Sequence, residues 1–223
     1  MTRIKICGLK RMEDIEAVNY ICPEYVGFVF ADFSHRCVDK ETAAELKVAL
    51  NPKIKAVGVF VDEDYNYVAE LLNEGIIDIA QLHGNEDEDY IGKLRGLISD
   101  VNDESGPVSG EKTPGAVKII KAFNMSRIKS TSEIEESSAD MVLVDSGTGS
   151  GKTFDWNRLG EIKRPYILAG GLEPDNVSAA IKSLHPYGVD VSSGVESDKY
   201  KDPEKMKRFV SIVREENDNS LSM

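Results

Sequence analysis

The chain has few cysteines, and none stands in a pattern that defines a site by itself. Cys7, Cys22 and Cys37 cannot make a complete disulfide set, and they lack the CxxC spacing of a zinc ribbon or a thioredoxin motif. The first residues lack the apolar core of a signal peptide. No apolar run reaches the ~18 residues that a membrane span needs. We therefore expect a soluble, cytoplasmic protein in a reducing compartment, with no membrane partner.

Positive charge is also scarce. Lys and Arg together number 27 and Asp and Glu 39, which gives a formal net charge of −12. A nucleic-acid-binding protein normally presents a basic face, so this composition argues against nucleic acid as a partner. Any anionic ligand must be held by local features against an unfavourable overall field.

What the chain does have is a regular series of short apolar runs rich in Val, Ile and Phe. Most are continuous rather than alternating, which is typical of parallel strands covered on both faces. Helix-period segments lie between them, the clearest at residues 41–50, 67–72, 176–184 and 206–213. The eight predicted strands cover residues 4–7, 25–30, 55–61, 78–82, 116–121, 141–145, 165–169 and 188–192.

Strands that alternate with helices predict βαβ units and a parallel sheet. Eight such units in 223 residues fit a single-domain α/β fold, the (β/α)8 TIM barrel. A doubly wound open sheet is the alternative, although it usually has fewer strands. We assign residues 1–214 to the barrel, with a polar loop insertion near 99–115, and expect a frayed polar tail over 215–223.

In such a barrel the active site lies at the carboxyl ends of the strands, and polar or small residues cluster there. Gly170 and Gly171 follow the seventh strand, and Ser192, Ser193 and Gly194 follow the eighth. These two loops match the recurrent phosphate site of the fold, which binds through neutral amide donors near a helix start. We therefore predict a phosphorylated small-molecule ligand; ordinary turns are the alternative.

The glycine-rich segment 147–153, GTGSGKT, comes close to a nucleotide-binding P-loop. The pattern fails by one position, because its first glycine would fall at Ser146. A lid over the barrel mouth is the interpretation we favour.

Other strand ends supply candidate reactive groups. Cys7 ends the first strand, and a modest shift from a thiol pKa of about 8.5 would give a base near neutral pH; a buried structural cysteine is the alternative. Asp145 ends an apolar strand, where desolvation would raise its pKa and let it act as a general acid. Arg36 could bind a ligand carboxylate through two hydrogen bonds or be a solvated loop charge. His83 is a site candidate or a satisfied structural histidine.

Six motifs occur in an order and spacing that resemble one enzyme family, that of the phosphoribosylanthranilate isomerases of tryptophan biosynthesis. The resemblance runs from Ile4 to about Phe209, and the six motifs together are far more specific than any one of them. They are Lys5-Ile6-Cys7-Gly8, Gly27-Phe28-Val29-Phe30, Gln81-Leu82-His83-Gly84, Gly151-Lys152-Thr153-Phe154-Asp155-Trp156, Ala169-Gly170-Gly171-Leu172 and Asp190-Val191-Ser192-Ser193-Gly194-Val195-Glu196.

The resemblance implies an Amadori rearrangement of N-(5-phosphoribosyl)anthranilate to 1-(2-carboxyphenylamino)-1-deoxyribulose 5-phosphate. Carried onto this chain, Asp145 is the general acid that protonates the ribose ring oxygen. Cys7 is the general base that removes the C2′ proton, and Arg36 contacts the anthranilate carboxylate.

The resemblance also implies a set of substrate-binding residues and the absence of a cofactor. Neither a metal ion nor an organic cofactor is expected, in agreement with only three histidines and no cluster of metal ligands. A monomer or a homodimer is expected. The expected substrate-binding residues, besides Arg36, are Gln81, His83, Gly170, Gly171, Asp190, Ser192, Ser193 and Gly194.

One motif departs from the family, which usually has Ser-Pro-Arg-Tyr where this chain has Ser34-His35-Arg36-Cys37. We expect the loss of the proline and the aromatic to alter the pose of this loop and not the reaction. Two other functions stay open: another sugar-phosphate barrel enzyme, such as an aldose–ketose isomerase of histidine biosynthesis or an epimerase, and a barrel that binds a phosphorylated metabolite without turnover. The pairing of Cys7 with Asp145 favours the isomerase of tryptophan biosynthesis over both alternatives.

Overall fold

The strands of the barrel close in chain order. The computed structural model describes residues 1–98, 118–146 and 156–221, so the predicted insertion at 99–115 and the glycine-rich segment 147–153 lie outside the described residues. Eight parallel strands form one closed ring in which β1 pairs with both β2 and β8, which confirms the predicted barrel. They are β1 (Arg3–Cys7), β2 (Tyr25–Val29), β3 (Lys55–Phe60), β4 (Ile79–Leu82), β5 (Ile119–Asn124), β6 (Met141–Asp145), β7 (Tyr166–Ala169) and β8 (Gly188–Val191).

Helices cover the outside of the ring, and three of them begin at an aspartate that caps them. The side chains of Asp39, Asp64 and Asp87 accept hydrogen bonds from backbone N–H groups of the first turns of α2, α3 and α4, which satisfies donors that a helix start leaves unpaired. In the described residues the helices are α1 (Met12–Ile21), α2 (Lys40–Ala49), α3 (Tyr65–Asn73), α4 (Glu88–Leu97), α5 (Ser132–Glu136), α6 (Val177–Leu184) and α7 (Pro203–Leu221), with 3-10 turns at Trp156–Glu161 and Ser193–Val195.

Each strand buries both of its faces, as the continuous apolar runs predict. Alternate side chains such as Ile4, Ile6 and Phe28 pack outward among the helices. The intervening positions point into the ring, because successive side chains of a strand face opposite sides. An apolar cluster fills this interior and is formed by Tyr25, Val57, Ile79, Ile120, Ala122, Leu143, Ile167 and Ala169.

Two departures from the predicted elements bear on the site. A two-stranded antiparallel hairpin, β9 (Glu196–Ser197) and β10 (Tyr200–Lys201), follows the loop after β8 and has no counterpart among the predicted elements. Strand β5 (Ile119–Asn124) continues three residues beyond its predicted end at 121, and Asn124 pairs with Asp145.

The frayed tail expected from residue 215 is wrong for its described part, because α7 continues to Leu221. Asn217 is buried, and its side-chain amide forms two hydrogen bonds with the backbone of Thr2 at the other end of the chain. Thr2 N donates to Asn217 Oδ1 at 2.6 Å, and Asn217 Nδ2 donates to Thr2 O at 2.9 Å. These two hydrogen bonds join residues that are 215 positions apart in sequence, and they hold the last turns of α7 to the start of β1.

Candidate active site

A cavity of about 470 Å³ opens at the carboxyl ends of the strands. One side of it is apolar, with Val29 of β2, Val59 of β3 and Ala31 just after β2, and the other is made of the glycines and serines after β7 and β8. The predicted site residues that line this cavity are Cys7, Arg36, Gln81, His83, Asp145, Gly170, Gly171, Asp190, Ser192 and Ser193.

Gly194 does not line the cavity, although the sequence predicts it there. A Cβ on this residue would lie 2.0 Å from the carbonyl oxygen of Leu172, far inside van der Waals contact. Gly194 therefore lets the loop after β8 pack directly on the loop after β7.

Cys7 is the last residue of β1 and lies almost completely buried, 8% exposed, at the floor of the cavity. Gly27 on the neighbouring strand makes room for it, since a Cβ at that position would lie 2.7 Å from Cys7 Sγ. Burial raises the pKa of Cys7 above its ordinary value, while the charges of Lys5 and Lys201 act in the opposite direction. The sequence left the resting protonation state of Cys7 open, and this direction favours the thiol.

Lys5 lies two residues before Cys7 on the same inward-facing side of β1, and its side chain is fully buried. Its Nζ lies 3.1 Å from Asp190 Oδ1 on β8, where Lys5 and Asp190 are register partners, and its charge also acts on Cys7. Burial alone would lower the pKa of Lys5, but Asp190 and Cys7 raise it above its ordinary value. The lysine is therefore a permanent cation beside the thiol.

Asp145 ends β6 on the far side of the cavity from β1, and its carboxyl group is about one quarter exposed. Gly170 has a φ of +94°, and a Cβ there would lie 2.5 Å from Asp145 Oδ1. Only glycine leaves space for this carboxylate with such a backbone conformation.

The side chains of His83 and Gln81 continue a row of polar groups that begins at Asp145. His83 Nε2 lies 3.5 Å from Asp145 Oδ2, and Gln81 Nε2 lies 2.9 Å from His83 Nδ1. A neutral His83 that accepts from Gln81 at Nδ1 carries its proton on Nε2, towards Asp145. Gln81 Oε1 is buried, and it has no hydrogen-bond partner in the described part of the chain.

The loops after β7 and β8 are shaped by backbone conformation. Gly170 and Gly171 both have positive φ, +94° and +65°. Ser192 Oγ donates to the carbonyl oxygen of Cys7 at 3.0 Å, and Lys201 Nζ donates to the carbonyl oxygen of Ser192 at 3.0 Å. The thiol-bearing strand end and the serine loop are thus held together.

Three charged residues of the site escaped the sequence analysis: Lys5, Glu196 and Lys201. Lys5 had a detectable signal, a lysine between two isoleucines in a strand predicted to be buried. Glu196 ends one of the six motifs but was given no role, and Lys201 had no signal, because it belongs to a hairpin that the sequence does not indicate. Their ion pair, 2.6 Å between Lys201 Nζ and Glu196 Oε1, is almost completely buried.

Comparison with known proteins decides which family these residues represent. A sequence profile described as N-(5'phosphoribosyl)anthranilate (PRA) isomerase matches residues 4–105 and 103–212, nearly the whole chain. The chain belongs to this isomerase family. The resemblance inferred from six motifs is thereby confirmed.

Individual relatives of this isomerase agree with the profile. It is 45% identical to the N-(5'-phosphoribosyl)anthranilate isomerase of Clostridium acetobutylicum, over 96% of this chain and 98% of the relative. It is 43% identical to that of Acetivibrio thermocellus over the full length of both. The solved phosphoribosylanthranilate isomerase of Thermotoga maritima is 31% identical, with a TM-score of 0.77 over 96% of this chain and 100% of the other.

A further solved isomerase carries a ligand. It is described as a complex with reduced 1-(o-carboxyphenylamino)-1-deoxyribulose 5-phosphate and is 30% identical, with a TM-score of 0.76 over 96% of this chain and 100% of the other.

Among the described residues of the present chain, no group of three or more His, Cys, Asp or Glu side chains could hold a metal ion. No helix within the described ranges is long and apolar enough to cross a membrane.

Proposed function

We propose that the cavity converts N-(5-phosphoribosyl)anthranilate to 1-(2-carboxyphenylamino)-1-deoxyribulose 5-phosphate, with Cys7 and Asp145 as the proton-transfer groups. The observation that carries this proposal is that both side chains line the cavity that the loops after β7 and β8 also line. Family membership supplies the reaction, an aldose–ketose isomerisation in tryptophan biosynthesis, and the geometry supports the residue roles.

Asp145 takes the first proton transfer. Its protonated carboxyl group gives a proton to the ribose ring oxygen as the C1′–O4′ bond breaks, and the nitrogen lone pair forms the C=N⁺ bond of a Schiff base. His83 Nε2, 3.5 Å away, then stabilises the carboxylate that remains. The opening made by Gly170 keeps the carboxyl group accessible to the sugar.

Cys7 carries out the second proton transfer. Its thiolate removes the C2′ proton, and the electrons of that C–H bond form the C1′=C2′ bond of the enolamine while the nitrogen becomes neutral. Tautomerisation then gives the ketone. Because burial raises the pKa of Cys7, the resting group is the thiol; it first gives its proton to solvent, and the positive charge of Lys5 stabilises the thiolate that forms. The proton given by Asp145 ends on the ring oxygen and the C2′ proton ends on Cys7, so Cys7 is again the resting thiol, Asp145 regains its proton from solvent, and no oxidant or reductant is consumed.

The two walls of the cavity orient the substrate. The glycines and serines after β7 and β8 hold the phosphate through uncharged donors, which suits a chain with a net charge of −12. The apolar side with Val29, Ala31 and Val59 faces the aromatic ring, and Arg36 binds the carboxylate of that ring. The unpartnered Oε1 of Gln81 accepts a hydrogen bond from a sugar hydroxyl.

The direct test is an assay of the purified chain with N-(5-phosphoribosyl)anthranilate. We expect loss of the substrate's fluorescence together with appearance of the ketose by NMR, without any added cofactor. Binding without conversion would identify a binding protein instead, and conversion of histidine-pathway sugar phosphates alone would identify another isomerase of the same fold. Either result overturns the proposal.

A cytoplasmic location and a monomeric or homodimeric state belong to the same proposal. All three cysteines are free thiols in the structure, which is typical of a reducing compartment. Cell fractionation tests the location, and light scattering after size-exclusion chromatography tests the oligomeric state.

A further inference from the structure

Arg36 does not stand alone in the cavity wall, because Glu196 holds its guanidinium in a two-pronged ion pair. Arg36 Nε donates to Glu196 Oε1 at 2.7 Å, and Arg36 Nη2 donates to Glu196 Oε2 at 2.8 Å. Glu196 opens the β9–β10 hairpin directly behind the serine loop and is nearly buried. A carboxylate and a guanidinium that meet in this way fix each other's orientation as well as their distance.

The same carboxylate binds a second cation. Glu196 Oε1 also accepts a hydrogen bond from Lys201 Nζ at 2.6 Å, and Lys201 is the register partner of Glu196 in the hairpin. Burial would raise the pKa of Glu196, but hydrogen bonds from Arg36 and Lys201 outweigh it and hold the pKa at about 2. Glu196 is therefore ionised throughout the physiological range, and two cations against one carboxylate leave one positive charge at this corner of the cavity.

The aliphatic part of the Arg36 side chain is held in place as well as its guanidinium group. It lies over Gly8, whose φ is +86° and where a Cβ would lie 2.4 Å from Arg36 Cδ. Nε and one hydrogen of Nη2 are used by Glu196, which leaves the edge formed by Nη1 and the other hydrogen of Nη2. Among the described residues, none accepts a hydrogen bond from Nη1, and Arg36 lines the cavity.

We propose that Glu196 is a positioning residue that holds Arg36 with this second edge turned to the carboxylate of the substrate. The inference rests on the proposed function, in which Arg36 binds that carboxylate. A guanidinium fixed before binding loses little side-chain freedom when the substrate arrives, whereas a mobile arginine would lose more and bind more weakly. Glu196 thus contributes to affinity through Arg36 and not through the reacting atoms.

The substitution Glu196→Gln separates positioning from charge by the sign of its effect. It removes a negative charge beside Arg36, so electrostatics alone would tighten the binding of an anionic substrate. Loss of positioning has the opposite effect. We expect KM for N-(5-phosphoribosyl)anthranilate to rise about five- to tenfold, the scale of one ordered side chain, with kcat within about threefold of the wild-type value.

Inorganic phosphate serves as an internal control, because it competes for the serine loop and not for Arg36. We expect its inhibition constant to stay within about twofold in Glu196→Gln, so a general collapse of the site would be recognised by loss of both. Glu204→Gln, an exposed glutamate on the first turn of α7, makes the same charge change and should leave KM unaltered. Glu196→Asp keeps the charge but shortens the reach, and we expect a KM between those of the wild type and Glu196→Gln.

Arg36→Ala tells a failure of this inference from a failure of the proposed function. If Arg36→Ala raises KM and Glu196→Gln does not, the positioning role of Glu196 is wrong while the role of Arg36 stands. If Arg36→Ala itself leaves KM unchanged, the carboxylate contact of the proposed function is wrong and the inference falls with it. A lower KM in Glu196→Gln would show that Glu196 acts by charge alone and would also overturn the inference.

Discussion

Lys5 Nζ lies 3.1 Å from Asp190 Oδ1 inside the barrel, and the charge of the same ammonium group acts on Cys7, two residues further along β1. A buried lysine is costly unless it is paired, and here its partner is supplied by the strand that closes the ring. The ion pair places a fixed positive charge beside a thiol that burial holds in its protonated form.

Replacing Cys7 by alanine should reduce kcat by at least about 100-fold, the usual contribution of a general base. The fold should persist, because the change removes one small group beside Gly27. Steady-state kinetics with unfolding curves measure both quantities. Cys22→Ala, on a cysteine that lies outside the lining of the cavity, is the matched control; wild-type turnover in Cys7→Ala would remove the base from the mechanism.

Asp145→Asn should also lower kcat by at least about 100-fold, because an amide cannot give a proton to the ring oxygen. Inorganic phosphate should still inhibit any residual activity, since the serine loop is unchanged. A rate close to that of the wild type would exclude Asp145 as the general acid and would make the neighbouring His83 the next candidate for that role.

Cys7 should become more reactive as the pH rises, because only its thiolate is alkylated. Burial raises its pKa above that of an ordinary thiol, about 8.5, so the rate at which iodoacetamide modifies Cys7 in the wild type should still be climbing above that pH. Lys5→Met removes the stabilising cation and should shift the profile to higher pH. The double variant Lys5→Met/Asp190→Asn, which leaves no unpaired buried charge, should shift it in the same direction; an unshifted profile in both would show that Lys5 does not act on the thiol.

Gly170→Ala should damage both stability and catalysis. The backbone there has a φ of +94°, and the added Cβ would meet Asp145 Oδ1 at 2.5 Å, so we expect a loss of about 1–3 kcal/mol in unfolding free energy together with a lower kcat. Gly92→Ala, in α4 with nothing within 4 Å of the added Cβ, should instead be neutral or slightly stabilising. Equal melting temperatures for the two variants would contradict the steric argument.

The contribution of Glu196 to stability should disappear in acid. Its pKa is about 2 in the folded protein against an ordinary 4.5, so the folded form binds its proton less readily. Its contribution is complete above about pH 4.5 and declines as the pH falls towards 2. In urea denaturation the wild type should exceed Glu196→Gln in stability at pH 7, and the gap should narrow by pH 3, whereas a gap that stays constant would contradict the assignment.

The sequence predicted what local patterns determine. Continuous apolar runs predicted eight strands because parallel strands are covered on both faces, and the residues at the strand ends then pointed to Cys7, Asp145 and the loops after β7 and β8, which line one cavity. The pKa of Cys7 escaped this reasoning because it depends on burial and on charges brought in by other strands. Arg36 was predicted to face a ligand carboxylate, but its partner Glu196 lies 160 positions away, and no local pattern reveals such a pair.

The end of the chain was misjudged for a related reason. The polar residues after 214 resemble a frayed tail, yet Asn217 is fixed by the backbone of Thr2. Polar composition predicts solvent exposure only when no distant partner is available. The end of β5 was placed at residue 121, three residues too early, because the polar Asn124 does not resemble a strand residue although it pairs with Asp145.

The ring is closed by the pairing of β1 with β8, and the thiol and the serine loop come from those two strands. A nascent chain therefore carries Cys7 from its first residues but lacks the hydroxyl group of Ser192, which donates to the Cys7 carbonyl oxygen, until β8 and the loop after it have been synthesised. Translation that stops before β8 leaves β1 without its ring-closing partner, so the cavity is completed only at the end of synthesis.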